Sequence, residues 1–210
     1  MLIYLDLCCF NRPWDDQSSS RVRLETEAKL LLQDRVHIGA TSLVWSYALT
    51  YENNFNPHRE RRETIAAWQQ LAISTVQASE AVVVIAQQLE ADGATAFDAL
   101  HVACAIHAGA ELFVTTDDRL YASCDAPTTS LRSCRRKRWP NWSNGMKTDS
   151  EIRAEGMAAL VAALGPVEAE RFIASLSRER FDYTEWRRRH LPQMSVAELS
   201  ERASQATKAA

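Results

Sequence analysis

Residues 95–118 read TAFDALHVACAIHAGAELFVTTDD, and this stretch decides the fold class. Thr95 can cap a helix whose apolar residues continue from Ala96 to Ala108, and Gly109 can stop it. The run Leu112-Phe113-Val114-Thr115-Thr116 has the β-branched and aromatic character of a strand and leads straight into Asp117-Asp118. A helix followed by a buried strand with an acid at its end belongs to a parallel α/β sheet, where ligands gather beyond the carboxyl ends of the strands.

The same pattern recurs at the other end of the front half. Residues 2–9 form an apolar run interrupted only by Asp6, which reads as a buried parallel strand carrying one acid at its end. Asn11-Arg12-Pro13 and Asp15-Asp16 predict a loop, followed by a helix over 21–32. A second strand is expected over 36–38, ended by Gly39, and Thr41-Ser42 is expected to cap a helix through Tyr51 to Asn54. Further helices are expected over 58–74 and 81–90.

A chain of 210 residues can hold one ordinary domain and a small appendage, and its 46% hydrophobic and 24% charged content is that of a globular protein. No apolar run approaches a membrane span, and the N-terminus MLIYLD has no basic start, so a cytoplasmic protein is expected. Five cysteines without a CxxC repeat are expected to be reduced thiols. The net charge of −3 is uneven: residues 1–131 hold 17 acids against 9 bases, while Arg132, Arg135, Arg136, Lys137 and Arg138 crowd one short stretch. An acidic front half is poorly suited to displacing counterions from nucleic acid, but clustered acids suit a metal site.

Asp6, Glu52, Asp98 and Asp117 all sit among apolar neighbours. A buried carboxylate is costly unless an Arg, backbone donors or a cation offsets it, so several together point to a metal. Hard oxygen ligands select Mg²⁺ or Mn²⁺ over Zn²⁺, and phosphodiester hydrolysis is the chemistry such a site suits, with one ion or two. His101, Cys104 and His107 are read as packing residues rather than zinc ligands. Trp45, Tyr47 and Tyr51 are read as core or interface rather than RNA-stacking residues, and the 135–138 basic run as a solvated linker or an RNA contact.

Four segments carry a family resemblance: IYLDLCCFNRP at 3–13, YENN at 51–54, FDALHVA at 97–103 and VTTD at 114–117. Together, over residues 1 to about 121, they resemble a PIN domain and, more narrowly, the VapC-like toxins of bacterial toxin–antitoxin pairs. The resemblance implies a PIN-like parallel sheet flanked by helices, and an endoribonuclease that uses Mg²⁺ or Mn²⁺ and leaves a 5′-phosphate and a 3′-hydroxyl. It makes Asp6, Glu52, Asp98 and Asp117 the catalytic metal ligands, with Asp118 as a substitute for Asp117, and Asn11, Thr115 and Thr116 polar supports. It also implies RNA as substrate, an antitoxin partner, and a homodimer or hetero-oligomer. A nuclease acting on DNA, or a non-catalytic PIN-fold interaction protein, are the alternatives.

The expected organisation is a PIN-like domain over 1–131, a basic linker over 132–145 and a small all-α segment over 146–210. In that last segment, Thr148 with Glu151 and Ser195 with Glu198 are possible capping boxes, and Ile152, Met157, Leu160, Val161 and Leu164 form an apolar face before Gly165-Pro166. The segment resembles the helical antitoxin-like partners of PIN toxins. Arg187, Arg188 or Arg189 could then neutralise the carboxylates and occlude metal or phosphate; packing or oligomerisation are its other readings.

Overall fold

Leu2–Leu5 forms strand β1, and Ile3, Tyr4 and Leu5 are wholly buried, as a strand covered on both faces must be. The apolar run does not continue as a strand. Asp6 caps a one-turn helix, α1 (Leu7–Asn11), by accepting from the Leu7 N–H at 2.7 Å, because a side chain that satisfies an orphan amide nucleates a helix there. A 3-10 turn (Arg12–Trp14) and the long helix α2 (Ser20–His37) follow, and Gly39 ends the latter at φ 73°.

Two expectations fail in the next stretch. Val36 lies in α2, and the second strand is β2 (Ser42–Ser46), where a helix was expected to begin. Leu43, Val44 and Trp45 are consecutive and buried, a strand signature that the preceding Thr-Ser pair masks; the helix cap is Ser46, whose Oγ accepts from the Leu49 N–H at 3.2 Å to open α3 (Tyr47–Asn54). The helix expected over 58–74 is α4 (Arg59–Ala67), then a 3-10 turn and strand β3 (Ala72–Val76). β3 is an edge strand in which only Val76 is fully buried, so it lacks an apolar run to announce it.

Helices α5 (Glu80–Ala91) and α6 (Ala96–His107), capped by Ser79 and Thr95, lead to β4 (Leu112–Val114) and the short α7 (Asp118–Ser123). The sheet is wholly parallel, in the order β3-β2-β1-β4, with Tyr4 opposite Val44 on one side and Phe113 on the other. The carboxyl ends of the adjacent strands β1 and β4 therefore bring Asp6 next to residues 115–117.

The structure describes residues 1–123, 149–176 and 181–208 of this computed structural model. The basic stretch 132–145 and Thr148 lie outside them. The chain divides into two compact units, residues 1–135 with 181–210, and residues 136–180, so the expected helical segment is spread over both. The second unit contains α8 (Asp149–Leu164) and α9 (Pro166–Leu176), which pack on each other and leave Ile152, Met157, Val161, Leu164, Val167 and Phe172 exposed.

In the first unit, α10 (Tyr183–His190) is capped by Asp182, and α11 (Val196–Lys208) lies against α3, α5 and α6. α11 buries Val196, Leu199 and Ala203, one stripe at helical spacing, and Ser200 shares a 2.6 Å hydrogen bond with the buried Tyr47 hydroxyl. The Glu198 N–H donates to Ser195 Oγ at 3.4 Å, one half of the anticipated box. Among the described residues, no helix is long and apolar enough to cross a membrane.

Candidate metal centre

Asp6 hangs from the end of β1 with no exposed surface. Its Oδ2 accepts from Thr115 Oγ1 at 2.9 Å and from the Cys8 thiol at 2.9 Å, which fixes the carboxylate rotamer from two sides. Asp117 follows on the same loop as Thr115. Its N–H donates to the Thr115 hydroxyl at 3.0 Å, and its side chain is turned inward and buried. Asp118 instead faces solvent and pairs with Arg21 through two 2.6 Å contacts.

Asp98 occupies the first turn of α6, where the helix dipole favours an anion. Thr95 grips it twice, donating its hydroxyl to Asp98 Oδ2 at 2.7 Å and accepting from the Asp98 N–H at 3.3 Å. Glu52 projects from the last turn of α3 and is fully buried. Its Oε2 lies 2.6 Å from His101 Nε2, one turn after Asp98 on the same face of α6.

The hydrogen bonds behind Glu52 run in one direction. A carboxylate can only accept, so His101 Nε2–H donates to it, and in the neutral imidazole Nδ1 is left to accept from the Tyr4 hydroxyl at 2.8 Å. Tyr4 in turn accepts from Ser46 Oγ at 2.7 Å, and Ser46 accepts from the Leu49 N–H. All four side chains are buried, so the relay locks the orientation of Glu52.

A guanidinium lies at the convergence of these acids. Arg187 of α10, only 4% exposed, places Nη1 3.3 Å from Asp6 Oδ2, Nε 3.2 Å from Glu52 Oε1 and Nη2 2.9 Å from Asp98 Oδ1. Arg188 Nη2 lies 2.8 Å from Asp117 Oδ1, and the buried Tyr183 hydroxyl donates to Glu52 Oε1 at 3.2 Å. Arg189 is mostly exposed and its nearest acid is Glu185, on its own helix. A cavity of about 180 Å³ beside the cluster is lined by Asp98, Asp117, Arg119, Arg187 and Arg188.

The proton affinities follow from this. Burial pushes the Asp6 carboxyl up, but Arg187, the nearby His101 and the bonds from Cys8 and Thr115 outweigh it and hold the group below the usual carboxylate range. Burial dominates at Asp98, which stays above that range despite Arg187. Burial disfavours the Arg187 cation, yet Glu52, Asp6 and Asp98 more than compensate and raise its proton affinity well above normal. The Tyr183 hydroxyl is pushed well up by burial and by the charge of Glu52.

Of the residues picked out from sequence, the structure thus brings together Asp6, Glu52, Asp98, Asp117, Thr115, Arg187 and Arg188. Asn11 is turned away: its amide bonds the Leu7 carbonyl at 3.1 Å and accepts from Asn56 at 2.8 Å, tying α1 to the loop after α3. The Thr116 hydroxyl is buried without a hydrogen bond. Trp45 and Tyr47 are core residues and Tyr51 stacks on Phe97. His107 is exposed and Cys104 is a buried free thiol.

Nothing in the sequence marks Tyr4, Ser46, Cys8 or Tyr183 for the site, and Thr95 reads only as a helix cap. His101 reads there as a packing residue rather than a zinc ligand; its spacing of three from Asp98 is the signal that could have placed it here.

The donor set fits a hard divalent cation. Asp6, Glu52 and Asp98 converge on one cationic group, and ligand atoms of Asp6, Glu52 and His101 lie within 4.8 Å of one another. One guanidinium offsets only one of three negative charges, whereas a dication offsets two. Guanidinium and dication would use the same oxygens, so they cannot be held together.

The family model described as PIN domain matches residues 3–125. No curated protein and no solved structure matches the chain.

Proposed function

This chain belongs to the PIN-domain family, and from that premise we propose that it is a Mg²⁺- or Mn²⁺-dependent endoribonuclease of the VapC-like toxin type, held inactive by its own residues 181–208. The observation that carries the reading is the seat of Arg187 among Asp6, Glu52 and Asp98. A buried arginine with three carboxylate partners needs those acids, but a catalyst needs them free. The arrangement makes sense as an inhibitor occupying the place of the metal.

With α10 withdrawn, Asp6, Glu52 and Asp98 would hold the ion, with Asp117 beside them. A bound dication supplies the charge that acidifies water and offsets that building on the phosphate. The remaining steps belong to the chain. Thr115 and Cys8 keep Asp6 in one rotamer, Thr95 keeps Asp98 in place, and the Ser46–Tyr4–His101 relay keeps Glu52 turned to the centre. Rigid carboxylates lower the cost of organising the reactive geometry.

In this reading α10 and α11 do the work of an antitoxin in cis. α11 supplies affinity through its apolar stripe, and α10 supplies the plug. Tethering keeps the plug at high effective concentration.

A second reading has one observation in its favour. Arg187 is so completely buried that a permanently silent PIN fold, serving as an interaction scaffold, would look the same. The test is Mn²⁺-dependent cleavage of matched single-stranded RNA and DNA by the full chain carrying Arg187→Ala. Cleavage of RNA in preference to DNA supports the proposal, cleavage of DNA alone moves the substrate class, and metal binding without cleavage of either supports the scaffold.

A further inference from the structure

Beside the carboxylates lies a second cluster that the chemistry above leaves unused. Arg61, in the first turn of α4, is 6% exposed and lies against two aromatic rings. Its guanidinium carbon is 4.5 Å from the Phe181 ring centroid and 5.8 Å from that of Trp14. His58 packs on Phe181, with its ring perpendicular to it at 4.7 Å between centroids. Three of the four belong to the front domain, on segments that follow β1 and β2, at the ligand-binding end of the sheet. Phe181 alone belongs to the C-terminal stretch, just ahead of the plug helix.

We propose that Trp14, His58 and Arg61 form a stacking subsite for a nucleobase of single-stranded RNA adjoining the metal centre, and that Phe181 occupies it in the resting chain. The proposal rests on the nuclease reading for the identity of its ligand. A planar guanidinium backed by an indole is a face on which any base can lie, and stacking on aromatic and Arg planes is how proteins hold unpaired RNA.

Spacing supports the same view. The Phe181 carbonyl accepts from the Asp16 N–H at 2.8 Å, and the Tyr183 N–H donates to Asp15 Oδ1 at 2.7 Å, so the segment entering α10 is pinned beside the cradle. The Tyr183 hydroxyl already reaches Glu52. Two residues span at most about 7 Å of backbone, so the Cα atoms that carry the ring in the cradle and the hydroxyl at Glu52 lie within that distance of each other. Phe181, Tyr183 and Arg187 thus cover, in order, a base position, the edge of the metal centre and its middle. The inhibitory stretch lies where a short piece of substrate would.

The test uses the full chain carrying Phe181→Ala and Arg187→Ala, which clears both positions and leaves α11 in place. Binding of a labelled short single-stranded RNA is measured by fluorescence anisotropy, alongside the same strand with abasic riboses. In that background Trp14→Ala should weaken binding of the base-bearing strand roughly 5- to 150-fold, the range set by stacking on one ring, and change the abasic strand little. Trp14→Phe should restore most of the loss. Arg61→Lys, which keeps the charge and discards the plane, should also lower the preference for the base-bearing strand, and it carries the test if Trp14→Ala does not fold.

Equal weakening of both strands, or of neither, by folded variants overturns the proposal. Because binding is the readout, the two ideas fail separately. Base-dependent binding without metal-dependent cleavage overturns the nuclease reading and leaves the cradle standing, whereas cleavage without base-dependent binding does the opposite.

Discussion

Arg187→Ala should destabilise the metal-free chain and, in the same stroke, make it responsive to metal. The side chain it removes is 4% exposed and faces three buried carboxylates at 2.9, 3.2 and 3.3 Å. Removing one partner of a buried ion pair costs about 3–5 kcal/mol, because the other charges stay buried. For a chain of this size each kcal/mol moves the melting temperature by about 2–4 °C, so a fall of roughly 6–20 °C is expected without metal. Proton uptake will absorb part of it, since Asp98, already pushed up by burial, loses the cation that held it down. Added Mn²⁺ should then return stability, by about 2.7 kcal/mol at a hundredfold excess over its Kd.

The intact chain should show almost no such gain, because its guanidinium already holds the oxygens. Differential scanning fluorimetry of both proteins, with and without Mn²⁺, measures all four values. A variant as stable as the parent without metal, or an intact chain that gains as much from Mn²⁺ as the variant, would refute competition between guanidinium and cation.

Other expectations follow from the same geometry. In the Arg187→Ala background, His101→Leu should weaken Mn²⁺ binding about 10- to 100-fold by unlocking Glu52, with a smaller loss for Tyr4→Phe; an electron paramagnetic resonance titration reads both, and unchanged affinity in folded variants would exclude a positioning role. Replacing Leu199, wholly buried in α11, by Ala should cost about 2–5 kcal/mol and raise RNA cleavage by the intact chain, so a destabilised but equally inactive protein would deny α11 its clamping role.

Burial pushes Asp15 up to about 7 in the folded protein, although the Tyr183 N–H and Arg12 favour its charged form. A carboxyl raised on folding contributes stability that is full below its ordinary range near 4 and is lost as pH rises toward 7. Asp15→Asn should therefore gain stability relative to the parent across that interval and hold level above it, as followed by chemical denaturation; a flat difference would show that Asp15 is charged throughout.

The parts of the site that were legible in sequence are those where chemistry conflicts with its surroundings. Asp6 breaks an apolar run and Asp98 opens an apolar helix, and a carboxylate in such a place needs a reason. β2 and β3 were not legible, because Thr41-Ser42 imitates a helix cap and an edge strand has no buried run to declare it. Among Arg187, Arg188 and Arg189 the sequence could not choose. The phase of α10 chooses, turning Arg187 onto three acids, Arg188 onto Asp117 and Arg189 to solvent. Trp14, His58, Arg61 and Phe181 come from distant parts of the chain, and only the fold assembles them.

The central claim, a metal-dependent ribonuclease silenced by its own arginine, is tested most directly by RNA cleavage with Mn²⁺. The proteins to compare are the intact chain, the chain carrying Arg187→Ala, and the chain carrying Arg187→Ala with Asp6→Asn. The account predicts little cleavage by the first, a gain of roughly a hundredfold or more for the second when metal is limiting, and its loss in the third. Equal cleavage by the first two, or activity that survives Asp6→Asn, would contradict it.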